Sequence, residues 1–470
     1  MVRQLAVPTL TSRNEYLPSV FSEAWDADGS AEANAVSLLE DARNVLSEDP
    51  VCASCVGRVF ADRSHGLTNE ERGKALRVAV AMADDVPYEP VPAETCWVCE
   101  GESGTFGEWA DRVVEALSGT EFETYQVGTR TPPLLEENEL LLRESAGVPV
   151  ETGEPFKSEC NREVGKRVGE RTGTVVDFDR SDVLALLNLE RGDVDVQINP
   201  AFIYGRYRKL ERDVPQTEWP CRECGASGKQ LAEGGGEEPC DHCGGSGYLY
   251  DVSVEGSTVP PVVEAMEGSE GIFHGAGRED VDALMLGTGR PFVIEVKRPR
   301  RRTPDVEALE REINEYAGGT VEVDDLRLAT YEMVERVKEL PASKVYRMDV
   351  EFAEPVSADE LDAALEELDD ATVEQRTPRR VDHRRADLVR TRRVYAADGR
   401  ILEERRGEVE IHGEGGLYVK ELVSGDDGRT EPSLAGLLGV ESTVTALDVL
   451  AVEGEDEPFD DPAYLQESSA

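Results

Sequence analysis

Ala276-Gly277-Arg278-Glu279-Asp280-Val281-Asp282 leads through Gly287-Thr288-Gly289-Arg290-Pro291 into the apolar run Phe292-Val293-Ile294-Glu295-Val296, and this stretch decides how the chain reads. The glycines mark tight turns, and the β-branched run behind them predicts a buried strand. An aspartate set between an arginine and such a turn can stand exposed in a cleft on a rigid edge. A neighbouring cation favours its ionised form. Asp280 is therefore the first candidate for chemistry. On residue type alone, an aspartate that merely caps a turn is the plainer reading.

Beyond this segment the second half of the chain is rich in β patterns. Phe292–Lys297, Lys344–Phe352, Arg390–Ala396, Glu408–His412 and Gly416–Val423 read as strands. One helix is expected after Thr303-Pro304, with Leu309, Ile313 and Tyr316 on a face and a stop at Gly318-Gly319. Another opens on the capping pattern Ser357–Glu360 and shows Leu361, Leu365 and Leu368. Strands interleaved with helices and hairpins predict an α+β domain with a mixed, largely antiparallel sheet and flanking helices. In the first half, helical spacing begins near Ala31, with Val36, Leu39, Ala42 and Leu46 on one face. A second helix is expected from the capping box Thr68–Glu71 to about Asp85, and Val194–Ile198 alternates as a strand that stops at Pro200. No internal repeat spans the chain.

At 470 residues the chain exceeds one compact core, so two or three domains are expected. No apolar run reaches the roughly 18 residues of a membrane span, and the N-terminus has no apolar segment of signal-peptide length. A soluble cytoplasmic protein is the expectation. The formal charge is −48, from 98 Asp and Glu against 50 Lys and Arg. Alone this argues against nucleic acid, whose binding depends on neutralising phosphates. Excess carboxylates also suit a high-salt cytoplasm, where self-repulsion is screened. The basic residues decide between these readings, because they cluster. Lys297, Arg298 and Arg300–Arg302 form one block. Arg376, Arg379, Arg380, Arg384, Arg385, Arg390, Arg392 and Arg393 form another, against only Asp382 and Asp387. An anion-binding face on a salt-adapted protein follows.

Eight of the nine cysteines fall in Cys-x-x-Cys pairs: Cys52/Cys55, Cys96/Cys99, Cys221/Cys224 and Cys240/Cys243. Two intervening residues let both sulfurs face one tetrahedral ion, and a reducing cytoplasm disfavours disulfides. Two structural Zn(Cys)4 sites are expected, with no open position for catalysis. The spacing is strongest for the ribbon over 219–248, where the acidic insertion Lys229–Pro239 reads as a solvated loop. Cys160, left over, reads as a small buried apolar side chain.

Six blocks in order give the chain its likeness. They are Asn161–Lys166, Ile198–Leu210, Pro215–Cys221, Gly277–Asp280, Gln375–Arg385 and Gly415–Leu422. Together they resemble the archaeal and eukaryotic tRNA pseudouridine-54/55 synthases of the Pus-ten type. The Gly-Arg-Glu-Asp run is also similar to the catalytic Gly-Arg-Thr-Asp of the TruA branch. The resemblance implies a zinc-binding, THUMP-type RNA-binding region over 31–195 and a pseudouridine synthase fold over 196–452. An arm (1–30) and an acidic, disordered tail (453–470) flank them. It implies isomerisation of uridine in the TΨC arm of tRNA, with no organic cofactor or catalytic metal; a monomer is expected, since such cleft enzymes need no symmetry partner. Asp280 takes the catalytic position, Tyr346 lies against the uracil, Lys420 pairs with the aspartate, and Val419 and Leu447 form an apolar wall. Where relatives carry a basic residue after the aspartate, this chain has Ala283-Leu284, which leaves Lys420 or Arg278 to compensate.

Two rivals compete. Asp282 with Glu295-Val296-Lys297 imitates the Asp…Glu-x-Lys spacing of Mg²⁺-dependent nucleases. The Cys240-Asp241-His242-Cys243-Gly244 knuckle resembles the Cys-rich repeats of DnaJ-type chaperones, which opens a non-catalytic zinc- and RNA-binding role.

Overall fold

Residues 30–232, 235–381 and 386–466 are described by the computed structural model of the chain. The arm expected over 1–30 falls, but for Ser30, outside them. The chain forms two compact units. One holds the described residues up to Ala110 with Thr129–Val164 and Asn188–Gly192, and the other holds Asp111–Gly128, Gly165–Leu187 and everything from Asp193.

In the first unit, α1 (Ser30–Ser47), α2 (Ala53–Val59) and α3 (Asn69–Asp84) come first. The Thr68 box is formed: its hydroxyl accepts from Glu71 N, and the Glu71 carboxylate accepts from Thr68 N. Glycines set the distance between α2 and α3. A Cβ on Gly57 would overlap the carbonyl of Asn69, and one on Gly73 would overlap that of Ala53. Further helices are α4 (Phe106–Ala116), α5 (Pro133–Ser145) and α6 (Phe156–Thr172), of which only α5 lies wholly within this unit. Arg58 is 1% exposed and ion-pairs with Glu139 at 3.1 Å and Glu159 at 2.7 Å. A charge buried so deeply requires such partners. Cys160 is fully buried, as expected, and burial pushes its thiol up to about 12.

A four-stranded sheet has the order β2-β1-β3-β4, from β1 (Thr124–Arg130), β2 (Val175–Val176), β3 (Val183–Asn188) and β4 (Asp193–Ile198). The larger sheet begins with β5 (Ala201–Lys209); the hairpin β6 (Lys229–Leu231) and β7 (Glu237–Pro239) is separate from it. Its other strands are β8 (Glu270–Gly275), β9 (Leu284–Lys297), β10 (Val321–Ala329), β11 (Ala342–Phe352), β12 (Thr372–Arg376), β13 (Val389–Glu403), β14 (Arg406–Gly413), β15 (Thr430–Glu431) and β16 (Ser442–Gly454). Their order is β10-β5-β9-β16-β11-β14-β13-β12-β15, with β8 also on β9. Pairing is antiparallel except where Leu284 and Met285 of β9 meet Asp448 and Val449 of β16. The mixed, largely antiparallel sheet matches the sequence reading. Phe292, Val293, Ile294 and Val296 are all fully buried, which is why β9 reads as a continuous apolar run.

Helices α7 (Val254–Ala265), α8 (Val306–Tyr316), α9 (Glu332–Glu339), α10 (Ala358–Leu368), α11 (Val419–Ser424) and α12 (Leu434–Leu438) complete this unit. The Ser357 box caps α10, which buries Leu361, Leu365 and Leu368. In α8, Leu309 and Ile313 are buried, but Tyr316 is 59% exposed.

Three expectations fail locally. Gly416–Val423 is no strand: Val419, Leu422 and Val423 stand at helical spacing and are buried on α11, which ends at left-handed Gly425. The insertion Lys229–Pro239 forms the hairpin β6–β7 rather than a plain loop. The tail from Glu453 is not disordered over its described part. Phe459 is fully buried, Leu465 bridges Ala329, and Arg336 donates to the Phe459 carbonyl at 3.0 Å.

Candidate active site

Residues 276–283 join β8 to β9, and Asp280 stands on this connection. Its turn is closed by Ala283 N donating to the Asp280 carbonyl at 3.1 Å. The Asp280 side chain is 46% exposed, with Lys420 Nζ 3.0 Å from its Oδ2. The same ammonium lies 3.7 Å from Asp282 Oδ2. Lys420 is presented by the first turn of α11, so the lysine predicted on a strand is aimed by a helix instead. Of the two cations expected to compensate for Ala283-Leu284, Lys420 reaches the carboxylate. Arg278 does not: its guanidinium lies 5.2 Å over the Trp219 ring.

Tyr346, on β11, is 9% exposed and stands opposite Ile411 and Val449. Burial pushes its hydroxyl up to about 12, with Arg290 acting against and Asp280 with that shift. Val419 and Leu447 belong to the same buried cluster as Tyr346. Arg212 ties the Asp280 connection to β16: it donates to the Asp282 carbonyl at 2.8 Å and the Leu447 carbonyl at 3.2 Å, and ion-pairs with Asp448 at 2.6 Å. A carboxylate, an ammonium, an aromatic ring and an apolar wall thus come from four separate stretches of chain. The sequence reading missed Arg290, Glu279, Lys209 and Tyr207, all buried behind the turn. Only Arg290 left a signal, a charge within the strand that runs on into Phe292–Val296, where an unpaired charge is costly.

The basic blocks are less free than their sequence suggests. Arg376 pairs with Asp387, Arg379 with Asp427 and Arg393 with Asp370. Arg380 meets Glu421 at 2.7 Å and Arg392 meets Glu414 at 3.3 Å. Arg390 donates to the Thr377 hydroxyl at 2.9 Å. Arg384 and Arg385 lie outside the described residues. Arg380 belongs to the neighbourhood of the site: burial pulls its pKa down, but Glu421 and then Asp280 push it up, and the carboxylates win. In the other block, Lys297 lies 3.8 Å from Glu270, and Arg298 takes a left-handed backbone with φ of 50°. Arg302 turns inward to Asp182 at 3.0 Å, and burial lowers its pKa, so it is a structural cation rather than part of a surface.

The nuclease constellation does not assemble. Asp282 faces Lys420, Glu295 meets His274 at 3.0 Å, and Lys297 faces Glu270. Among the described residues, the groups able to hold a metal ion are the two cysteine quartets.

Cys52, Cys55, Cys96 and Cys99 converge and are all buried. Sγ separations are 3.8 Å for Cys52–Cys99 and 3.5 Å for Cys55–Cys96. Ligands about 2.3 Å from a tetrahedral ion lie about 3.8 Å apart, so the set fits one ion. Arg58 Nη2 donates to Cys55 Sγ at 3.0 Å, an outer contact that orients the thiolate. The second quartet, Cys221, Cys224, Cys240 and Cys243, has Cys224–Cys243 at 3.8 Å. Its two knuckles repeat one geometry. Ala226 N donates to the Cys221 carbonyl as Gly245 N does to Cys240, and the hydroxyls of Ser227 and Ser246 cap the carbonyls of Cys224 and Cys243. Two four-cysteine groups can each hold a metal ion.

Comparison with known proteins gives the family. Residues 202–453 match the family described as Pus10, C-terminal, and residues 109–188 match the archaeal Pus10 THUMP domain. The class is thereby set: a pseudouridine synthase, an isomerase of α+β fold preceded by a THUMP domain. The chain is 61% identical to tRNA pseudouridine synthase Pus10 of Halorubrum lacusprofundi, over 92% of this chain and all of that protein. It is 44% identical to the Pus10 of Methanothrix thermoacetophila, over 89% of this chain and 95% of that one. With the Pus10 of Pyrococcus furiosus it shares 38% identity, over 88% and 98% respectively. The chain belongs to the Pus10 family of tRNA pseudouridine synthases.

Proposed function

We propose that this chain isomerises uridine to pseudouridine in the TΨC arm of tRNA, at position 54, 55 or both, with Asp280 as the catalytic residue. One observation carries the reading: the half-exposed Asp280 carboxylate lies 3.0 Å from Lys420 at the edge of a buried cluster holding Tyr346, Val419 and Leu447. The reaction breaks the bond from uracil N1 to ribose C1′, turns the base, and joins C5 to C1′. The C5 hydrogen is lost and N1 gains one, so the atoms balance without a cofactor. Asp280 acts at the sugar, either on the electron-poor C1′ or by taking a ribose proton. Lys420 holds the carboxylate charged and fixes its direction. Tyr346 presents an aromatic face to the detached uracil, and Val419 and Leu447 close the pocket to water.

The uridine must leave its stack, so tRNA has to be gripped around the site. Arg376, Arg379 and Arg380, with Arg384, Arg385, Lys297 and Arg298, form the gripping surface in this reading. Phosphate exchanges for the carboxylates that several of them meet, which suits a protein working where salt screens long-range attraction. The two cysteine quartets hold structural Zn²⁺, because four thiolates leave no open coordination position. In this reading the protein works in the cytoplasm as a monomer.

The test is pseudouridine formation in an unmodified tRNA transcript at high KCl, comparing wild type with Asp280→Ala. Pseudouridine in the TΨC arm that vanishes with Asp280→Ala, while the variant stays folded, is the expected result. Intact, unmodified tRNA from the folded wild type would sink the proposal. TRNA cut only on adding Mg²⁺ would revive the nuclease.

A further inference from the structure

The turn that carries Asp280 is held from beneath by buried side chains. Arg290 Nη1 donates to the Ala276 carbonyl at 2.7 Å, and Gln216 Nε2 donates to the Gly277 carbonyl at 2.9 Å. Lys209 Nζ donates to the carbonyls of Asp280 at 3.2 Å, Val281 at 3.0 Å and Val214 at 2.8 Å. Glu279 points inward among these donors. It lies 2.8 Å from Arg290 Nε and 3.9 Å from Lys209 Nζ, and accepts the Tyr207 hydroxyl at 2.9 Å. Lys209 and Tyr207 are fully buried, and Arg290 is 1% exposed.

Carbonyls of a surface turn usually find water. Here four of them, on both sides of Arg278-Glu279, are taken by two cations and an amide. Burying two cations against one carboxylate is costly, and apolar side chains of similar volume pack more stably. Burial accordingly pulls the Lys209 ammonium below its ordinary range, with Glu279 acting against that. Packing therefore does not account for the lysine. What it secures is the main chain of one residue: its ammonium binds the carbonyl of Asp280 and that of the residue after it. The Asp280 carboxylate, by contrast, has a single ion-pair partner among the described residues, Lys420. Its direction depends on the backbone below it.

We propose that Lys209, seated by Glu279 and Arg290, is a positioning residue for the isomerisation, fixing the main chain of Asp280 so that its carboxylate meets Lys420 and the target ribose. This rests on Asp280 being the catalytic residue. Misplacement of a reacting group by about 1 Å costs on the order of 100-fold in rate, which sets the size of the effect.

The experiment is single-turnover pseudouridine formation on a tRNA transcript with the full chain, alongside tRNA affinity and the unfolding midpoint. Wild type is compared with Lys209→Met, Gln216→Leu, Glu279→Gln and Asp280→Ala. Lys209→Met is expected to slow the chemical step about 100-fold, and Gln216→Leu about 10-fold, with tRNA affinity within about twofold of wild type. A loss of affinity in proportion to the loss of rate would overturn the inference, since a general structural role predicts that pattern. Should Lys209→Met not fold, Gln216→Leu and Glu279→Gln decide, and wild-type rates in both overturn it. Activity retained by Asp280→Ala defeats the functional proposal itself. An inactive Asp280→Ala beside a wild-type rate for Lys209→Met defeats only the positioning role.

Discussion

Lys344 sits on β11 two residues before Tyr346, on the same face of the strand, opposite Gly413 and Val452. Burial lowers its pKa from 10.5 to about 8, Arg290 adds to that, and Glu455 acts against it. The unfolded chain therefore holds this proton more tightly than the folded one between about pH 8 and 10.5. Protein stability rises with pH wherever the unfolded state binds more protons, so charged Lys344 is a burden below that window and is relieved across it. Lys344→Met should accordingly unfold at a higher temperature than wild type at pH 7, and the gap should close as pH approaches 10.5. Unfolding midpoints of both proteins across that range check this; a gap independent of pH would count against it. The surrounding residues divide by how visible they were. Asp280 was legible because glycines and an apolar strand frame it. Lys209 and Glu279 were not, because each looks like surface charge until the fold buries it against the other.

At the scale of elements, local chemistry predicted what local chemistry controls. Both capping boxes form, at Thr68 and Ser357, because their partners lie three residues away. The strands β9, β11, β13 and β14 were readable from β-branched and alternating runs. α11 was misread because Tyr418-Val419-Lys420 looks extended until Leu422 and Val423 join Val419 on one buried face. The cysteine knuckles were the most legible elements, since two-residue spacing and glycine turns specify their geometry directly. Metal analysis of the purified protein should return two zinc ions per chain, one for each quartet. Replacing Cys221 and Cys224 with Ser should leave one, held by Cys52, Cys55, Cys96 and Cys99. Two ions retained by that variant would contradict the assignment.

Over the whole molecule the formal charge of −48 dominates. Self-repulsion of this size opposes compaction, and salt shortens its reach from about 10 Å at 0.1 M to about 3 Å at 1 M. The unfolding midpoint should therefore rise steadily with KCl from about 0.2 M into the molar range, where screening is strongest. A midpoint indifferent to salt, measured by scanning calorimetry, would show that the carboxylates serve something other than salt adaptation. The same charge explains why the arginine block could not be judged from its own segment. Asp427, Glu421, Glu414 and Asp370, which meet Arg379, Arg380, Arg392 and Arg393, come from other parts of the chain.

The sequence by itself determined the mixed α+β class, the cysteine quartets as candidate ligands, and Asp280, Tyr346 and Lys420 as a candidate set, because each is written in short-range spacing or in recognisable blocks. Only the tertiary structure decided which cation faces Asp280, that the first quartet closes across more than forty residues, and that buried Lys209, Arg290 and Glu279 brace the turn. The physical reason is range. Caps, knuckles and strand alternation act over a few residues, whereas the partner of a charge is chosen by whatever the folded sheet brings within about 4 Å of it.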